Sequence, residues 1–587
     1  MPDTTQQEAF KKAPNETLGS AVLSPSITQA FALECSTEFL FEPANATMVN
    51  GIIRGVERET LRSLADGSLA LSPHPHPLGS TLCHPRITTD FSESLLEFIT
   101  PPQHRRSHVF QSLNDLHQYT SEILAKEGEK LWPSSMPCLL PEEALIPIAR
   151  YGKSHVGRMK EVYRKGLALR YGKQMQMVAG VHYNFSLPAA FWSHFFIAQS
   201  DIRGLGDFQD QRYFGLIRNF RRFSWVLMLL NGASPITHNS FAAGRAHDLD
   251  IINQTDLRSK YGTSLRMGGL GYQSPAQSVL NVCYNQKASY VQTLCEAINT
   301  PWPSYREAGS FTKDGERQQL NDSLIQIENE FYSSIRPKRV IQKGETAIQA
   351  LRLRGCEYIE VRCLDVNPFS AIGITAEQSR FLDVFLTYCA MKDSPECDQE
   401  DQARIQANYE IAVNQGLNPA IDVTLHSGKK VNARQAGLAL IDSMRPVAEA
   451  FDKHQQQAGH LDALETAAAR LSEERGLLAH EVIEHCSRHG SFIDSNVQLA
   501  EDHRQTLMHA LEKRKDKELM LKAQKIHTEG SLRNFAEIEA AATDFADGSF
   551  ESYLDTYFAQ YSQCKPLNLN PGATQVIHAE HTIESQT

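Results

Sequence analysis

Glu57 and Glu59 stand two residues apart in "NGIIRGVERET", and residues two apart on a strand point to the same face. Two carboxylates side by side repel unless something positive sits between them. Three other segments offer polar groups in the same way. In "GVHYNFSL", His182, Asn184 and Ser186 alternate with Val181, Tyr183, Phe185 and Leu187, so one face is apolar and the other presents an imidazole, an amide and a hydroxyl. In "EYIEVRCL", Glu360 and Arg362 share a face opposite Ile359, Val361 and Cys363. In "TTDFSESLLEFIT", Asp90 precedes an apolar run that Glu97 interrupts, and a carboxylate among such neighbours needs a cation or donors. Taken singly, each has a bland reading: a structural histidine, a strand ion pair worth little, an exposed glutamate. Taken together, Glu57, Glu59, Asp90, Glu97, His182 and Glu360 form a set rich in hard oxygen donors, which suits Mg²⁺ or Mn²⁺ better than zinc. Acids that hold a metal, next to arginines such as Arg362 and Arg164 (the latter in "VYRKGLALRYG"), are the equipment for handling phosphate. There is no G-x-x-x-x-G-K-[ST] motif, and "MGGLGY" at 267–272 is only a turn signal, so if ATP binds, its phosphates are held by metals and arginines and not by a P-loop.

The elements that must position these groups are short strands set between helices. "IIRGVERE", "LLEFIT", "GVHYNFSL" and "EYIEVRCLD" read as strands, and "HVFQSLNDLHQYTSEILAKEGEKL" and "YFGLIRNFRRFSWVLMLL" as helices. There is no regular β-α-β alternation, which favours α+β over a doubly wound sheet. Residues 1–45 read as a polar arm or short helix, 46–400 as the catalytic core, and 401–587 as a mainly helical region ending in a loose tail of about twenty residues. In "LDALETAAARLSEERGLLAHEVIEHC" apolar residues recur at Leu461, Leu464, Ala468, Leu471, Leu478 and Val482, the spacing of one amphipathic helix, and "HRQTLMHALEKRKDKELMLKAQKI" reads the same way. Such stripes face a core more often than a partner.

The 587 residues carry 69 acidic and 58 basic side chains, a net charge of −11, which argues against nucleic acid as a partner. No apolar stretch approaches a membrane span, and the polar start "MPDTTQQEAFKK" lacks an apolar signal region. Eleven cysteines lie scattered singly with no C-x-x-C pair, which argues against a disulfide framework and a zinc ribbon. The expectation is a reduced, soluble, cytoplasmic protein.

The words "RGVERETLR", "ITTDFSESLLEFITP", "LWPSSMPC", "YRKGLALRYG", "GVHYNFSLP", "NGASPI", "TSLRMGGLGY", "QIENEFY", "IRPKR" and "YIEVRCLDVNPFS" together resemble the glutamate–cysteine ligase family of the proteobacterial type, from about residue 50 to about residue 390. Residues 1–45 and most of the chain after 400 match poorly and read as lineage-specific. The resemblance implies a glutamine-synthetase-like α+β fold: a curved, mostly antiparallel sheet forming a funnel, surrounded by helices. It implies ATP-dependent ligation of L-glutamate, through its γ-carboxyl, to L-cysteine via γ-glutamyl phosphate, the first step of glutathione biosynthesis. Two or three Mg²⁺ ions would be held by Glu57, Glu59, Asp90, Glu97, His182 and Glu360. Arg362 and Arg164 would meet the transferred phosphoryl group, and Arg266 would anchor a substrate carboxylate. Tyr272, Tyr332 and Phe91 would shape the cysteine pocket, with Asn184 a further substrate contact. Nothing in "QIENEFY" decides whether Glu328 or Glu330 faces the site. Glutathione enters as a candidate feedback inhibitor. The alternatives are a related ligase joining glutamate to another amine, and a non-catalytic nucleotide- or metal-binding relative. Too few residues follow the matched words for a second ligase module.

Overall fold

The computed structural model describes residues 25–198, 204–271, 275–455, 459–544 and 549–567. Its centre is an antiparallel sheet in the order β2-β3-β1-β5-β10-β9, with β4 pairing to the end of β1. The strands are β1 (Ile53–Ser63), β2 (Ile87–Thr89), β3 (Leu95–Ile99), β4 (Lys130–Leu131), β5 (Gly180–Ser186), β9 (Ile335–Lys338) and β10 (Tyr358–Asp365). A small sheet of β6 (Ile236–His238), β7 (Asp250–Ile251) and β8 (Asp256–Arg258), and a hairpin of β11 (Asp422–Thr424) and β12 (Lys430–Asn432), complete the β structure among the described residues. The anticipated strands are all present, in a large antiparallel sheet that helices surround.

Alternation sorts the two faces. Val56, Val181, Tyr183, Phe185, Ile359 and Val361 are wholly buried. The helices Arg106–Leu124, Leu205–Asn231 and Ala376–Met391 pack around them. That face also carries three buried arginines on β1. Arg54 donates to Asp383 at 2.9 Å, Arg62 to Glu129 at 2.5 Å, and Arg58 donates to His117 Nε2 at 3.0 Å and to the Trp132 carbonyl at 3.2 Å. Asp383, 0% exposed, also accepts from Arg106 and, at 2.8 Å, from Tyr183. These pairings lock β1 and β5 to the helix beneath them, so the register that builds the opposite face is held by charge as well as by packing.

The long C-terminal amphipathic run is not one helix. It divides into His460–Leu471 and Leu478–His489, at a turn where Glu473 (φ 69°) and Gly476 (φ 68°) take left-handed backbone. The second run divides into Phe492–Lys513 and Lys517–Asp544. A 3.6-residue pattern continues through a turn that returns the same face to the core, so periodicity alone does not reveal the break. These helices pack on the rest of the molecule: Ala433–His454 and His460–Leu471 on Ala376–Met391, Phe492–Lys513 on Arg106–Leu124, and Phe550–Ala559 on His155–Tyr171. The main apolar core runs from Ile27 to Cys564, and a smaller cluster of Met159, Val162, Leu320, Phe550 and Leu554 seats the last helix. Residues 1–24 and 568–587, the far ends of the expected arm and tail, lie outside the described residues.

The structure corrects the cysteine reading. Cys295, on the helix Lys287–Ile298, is disulfide-bonded to Cys564, 269 residues away. Local spacing could not show a pairing made by folding the C-terminal segment back over the core. Nine cysteines are free.

Two buried histidines give a pH signature. His117 and His460 are both 0% exposed. His117 Nδ1–H donates to the Leu113 carbonyl and its Nε2 accepts from Arg58. His460 Nδ1–H donates to Asp452, and its Nε2 accepts from Arg106. Burial first, then the facing arginine, holds His117 well below its usual range and brings His460 to about 4. A folded-state pKa below the unfolded value of about 6.5 favours the neutral ring, so the stability is complete above pH 6.5 and declines as pH falls towards 4. Each proton taken up only on unfolding costs about 1.4 kcal/mol per pH unit. The raised carboxylates described below act in the opposite sense, so the comparison must be made between variants. Between pH 7.5 and 5.5, His117→Gln should lose less of its urea-unfolding free energy than wild type does. Parallel pH profiles would mean that His117 is already charged in the fold.

Candidate active site

The register of the sheet gathers the candidate residues. On the face opposite the core, Glu59 of β1 lies directly across from Glu97 of β3, and Glu57 lies across from His182 of β5. Asn184 lies across from Gly55 on one side and Glu360 of β10 on the other. Beyond Glu360 comes Arg336 of β9. Gly55 leaves room above its row, and a bulge between Val361 and Leu364 re-aims the strand at Arg362.

Side-chain contacts tighten this pattern. His182 Nδ1 lies 3.2 Å from Glu57 Oε2, and Asn184 Nδ2 donates to Glu57 Oε1 at 2.8 Å. Glu360 accepts from Arg362 at 3.0 Å and pairs with Lys338 Nζ at 3.2 Å. The backbone N–H of Gly180 donates to Glu59 at 2.7 Å. Gly180 is needed here, because a Cβ would come within 2.0 Å of Arg266 Nη2. Ligand atoms of Glu57, His182 and Glu360 all lie within 4.8 Å of one another. Buried His182 Nε2 and Asn184 Oδ1 have no hydrogen-bond partner among the described residues, and Glu59 lies 3.7 Å from His182 Nε2.

The charges are unevenly compensated. Burial alone would raise Glu360, but Lys338, Arg362, His182 and Arg336 hold it well below the carboxylate range. Burial also opposes ionisation of Glu57, where the His182 hydrogen bond leaves the net direction downward. At the other end burial raises Glu59, with Asp90 adding to it, and pushes Glu97 well up, with Glu57, Asp90 and Glu59 all adding repulsion. The β3 end of the row is therefore short of positive charge. A hard oxygen set, a buried imidazole nitrogen without a hydrogen-bond partner and uncompensated carboxylates fit a divalent cation such as Mg²⁺.

Arg362 and Arg266 also reach a cavity of about 690 Å³, whose walls include Tyr332, Ser334, Tyr284 and Tyr409, a size suited to a nucleotide-like ligand. Arg266 is 1% exposed and donates to the carbonyls of Arg362 and Leu364, so it braces the β10 bulge. Arg164 donates to the carbonyls of Asp90 and Thr89, beside the β3 end of the row. Tyr332 Oη accepts from Gln176 Nε2 at 3.1 Å. Phe91 is 1% exposed and packs in the core. Tyr272 lies outside the described residues. Glu328 and Glu330 are both spent on structure: Glu328 accepts from Tyr561 and the Ala347 backbone, and Glu330 from Arg170, Tyr171 and the Gln326 backbone. Lys338 and Arg336 are cations of the site that the sequence analysis did not single out; strand pairing brings both to Glu360, which no local pattern displays.

The family model described as glutamate–cysteine ligase matches residues 37–412. A glutamate–cysteine ligase of Saccharophagus degradans is 48% identical over 527 residues, covering 89% of this chain and 98% of its own length. One of Azotobacter vinelandii is 44% identical over 525 residues, 89% of this chain and 97% of its own. These matches reach too far to end near residue 400, so most of the C-terminal region is shared with these relatives and is not lineage-specific. The 2.0 Å crystal structure of glutamate–cysteine ligase from Francisella tularensis in complex with AMP superposes with a TM-score of 0.80 at 32% identity, covering 87% of this chain and 98% of that one. A bifunctional glutathione synthetase from Pasteurella multocida, at 23% identity and a TM-score of 0.63 over 84% of this chain and 58% of its own, shares the fold. The quoted words, the sheet that aligns them and this agreement over nearly the whole chain place it in the glutamate–cysteine ligase family.

Proposed function

We propose that the chain joins the γ-carboxyl of L-glutamate to the amine of L-cysteine at the expense of ATP. The observation that carries this reading is the row Glu97–Glu59–Glu57–His182–Glu360, laid across four strands and ending at Arg362 beside a nucleotide-sized cavity. The glutamate γ-carboxylate attacks the terminal phosphorus of ATP, ADP leaves, and γ-glutamyl phosphate forms. The amine of cysteine then attacks the acyl carbon, phosphate departs and the nitrogen loses its proton. An anionic nucleophile approaching an anionic phosphate needs cations on both sides. Arg362 meets the phosphoryl oxygens from β10, and Arg164 meets them from the helix His155–Tyr171. Arg266, at the cavity wall, anchors a substrate carboxylate. Glu57, His182 and Glu360 would hold one divalent ion and Glu59, Asp90 and Glu97 a second; when bound, Mg²⁺ supplies neutralising charge to phosphate oxygens. The Francisella relative was solved in complex with AMP, which supports nucleotide binding by this chain. Leaving out one component at a time tests the reading: phosphate release should need glutamate, cysteine and Mg²⁺ together. Equal turnover with glycine or ammonia replacing cysteine would overturn the cysteine assignment.

Glu97 offers a second check, because its charge is costly in the bare fold. Glu97→Gln should melt no lower than wild type in chelator, since it removes a half-buried carboxylate repelled by Glu57, Asp90 and Glu59. Its melting point should rise less on adding Mg²⁺, and turnover should fall at least about tenfold. Full activity at limiting Mg²⁺ would remove Glu97 from the metal set.

A further inference from the structure

We propose that Lys160 is a second cation, beside Arg164, for an oxyanion handled at the Glu97 end of the site. The inference rests on the ligase reading and names a residue that this reading does not use. Lys160 and Arg164 stand four apart on the helix His155–Tyr171, so they share a face. Both lie against one aromatic ring: Lys160 Nζ is 5.0 Å and Arg164 Cζ 4.5 Å from the centroid of Tyr151. Tyr151 is 1% exposed, and its hydroxyl donates to the Thr89 carbonyl at 2.7 Å, which fixes the ring at the end of β2, the strand paired to β3 opposite Glu97. Two like charges are thus brought together on a rigid support.

Several buried cations in this fold have carboxylate partners: Arg54 and Arg106 share Asp383, Arg62 has Glu129, and Arg170 has Glu330, whereas Arg58 meets only His117 and the Trp132 carbonyl. The ammonium of half-buried Lys160 has no hydrogen bond or ion pair among the described residues, while its backbone carbonyl accepts from Arg164 at 2.9 Å. Burial first, then Arg164, lowers it to about 8, while Glu97 acts in the opposite sense. Glu97 does not compensate it, because that carboxylate faces Glu57, Asp90 and Glu59. Metal bound at Glu97 would leave Lys160 facing another cation, and an oxyanion lying between them stabilises both. Two groups of the reaction carry such oxygens: the phosphoryl group taken from ATP and the α-carboxylate of the acceptor amino acid.

Lys160→Met keeps the stem and removes the charge, and Lys160→Arg restores it. Lys160→Met should lose at least about tenfold in kcat/KM, with Lys160→Arg regaining part of it. If the anion is the phosphoryl group, Lys160→Met slows first-turnover ADP formation and leaves the KM for cysteine unchanged. Inorganic phosphate in chelator should then raise its melting temperature less than that of wild type. If the anion is the acceptor's carboxylate, ADP formation stays normal, the KM for cysteine rises, and the preference for cysteine over cysteamine, which lacks the carboxylate, shrinks. Wild-type kinetics in Lys160→Met would overturn the proposal. So would losses in both Lys160→Met and Lys160→Gln that are wholly accounted for by lowered melting temperatures. Wild-type protein that makes no γ-glutamylcysteine refutes the ligase reading instead, a result distinct from an active wild type with an equally active Lys160→Met.

Discussion

Arg362→Lys should fold as wild type does and lose about a hundredfold in turnover, the scale for removing one donor from a developing oxyanion. The substitution keeps the charge and removes the planar fork of N–H groups that matches phosphate oxygens. Arg362 is placed for this work by the bulge after Val361 and by Arg266, which holds the carbonyl of Arg362 itself. It also donates to Glu360, so a structural reading makes the two a strand ion pair. That reading predicts a loss of stability no larger than about 1 kcal/mol and unchanged chemistry. Lys338 pairs with Glu360 independently at 3.2 Å, so the carboxylate keeps a cation when Arg362 is altered. Rapid-quench measurement of ADP formed in the first turnover separates the two. The catalytic reading requires the acyl-phosphate step to slow while capture by cysteine does not. A normal first turnover, or a loss explained by a lower melting temperature, returns Arg362 to the strand pair.

The acid row was legible because a strand's period of two marks faces without reference to its neighbours. Glu57, Glu59, His182, Asn184, Glu360 and Arg362 each announced a polar face within seven or eight residues of sequence. Their assembly was not legible: that Glu59 meets Glu97, and Glu57 meets His182, is a statement about register across long loops. The same limit hid Arg336 and Lys338. It also hid Lys160, which comes to the Glu97 end of the row from a helix whose own pattern shows only amphipathicity.

The C-terminal region shows the opposite case. Its apolar stripes face the core, as their spacing predicts, yet the spacing does not display the turns at 472–476 and near Arg514, because each returns the stripe to the same core. The disulfide Cys295–Cys564 failed for the reason that hid Lys338: the partners meet only after the chain has folded back. The arginines of β1 occupied the face that alternation assigns to the core, a sign visible in "IRGVERETLRS" that the sequence reading did not follow.

Those arginines carry the largest expected effect on stability. Asp383→Ala should destabilise the protein by about 3–5 kcal/mol, because it strands Arg54 and Arg106 in a dry interior. Asp383 is held at about 2; burial acts against the charge, and Arg54 and Arg106 overcome it. With a depressed folded pKa, its contribution is complete above the unfolded value of about 3.9 and is lost as pH falls towards 2. At neutral pH it is therefore present in full, and a chemical melt should show it. The network reaches further than one strand. Arg54 is three residues before Glu57, Tyr183 is next to His182, and Arg106 has no second acid, since its other partners are the Ser379 hydroxyl and the neutral His460. Loss of Asp383 should therefore loosen β1 against β5 and disturb the row built on their register, with the Mg²⁺-induced rise in melting temperature shrinking alongside stability. The double change Arg54→Met with Asp383→Leu removes charge on both sides but leaves Arg106, so it should recover only part of the loss. Adding Arg106→Met should recover more. If Asp383→Ala melts within about 1 kcal/mol of wild type, water reaches the arginines and the site's register is held by packing alone.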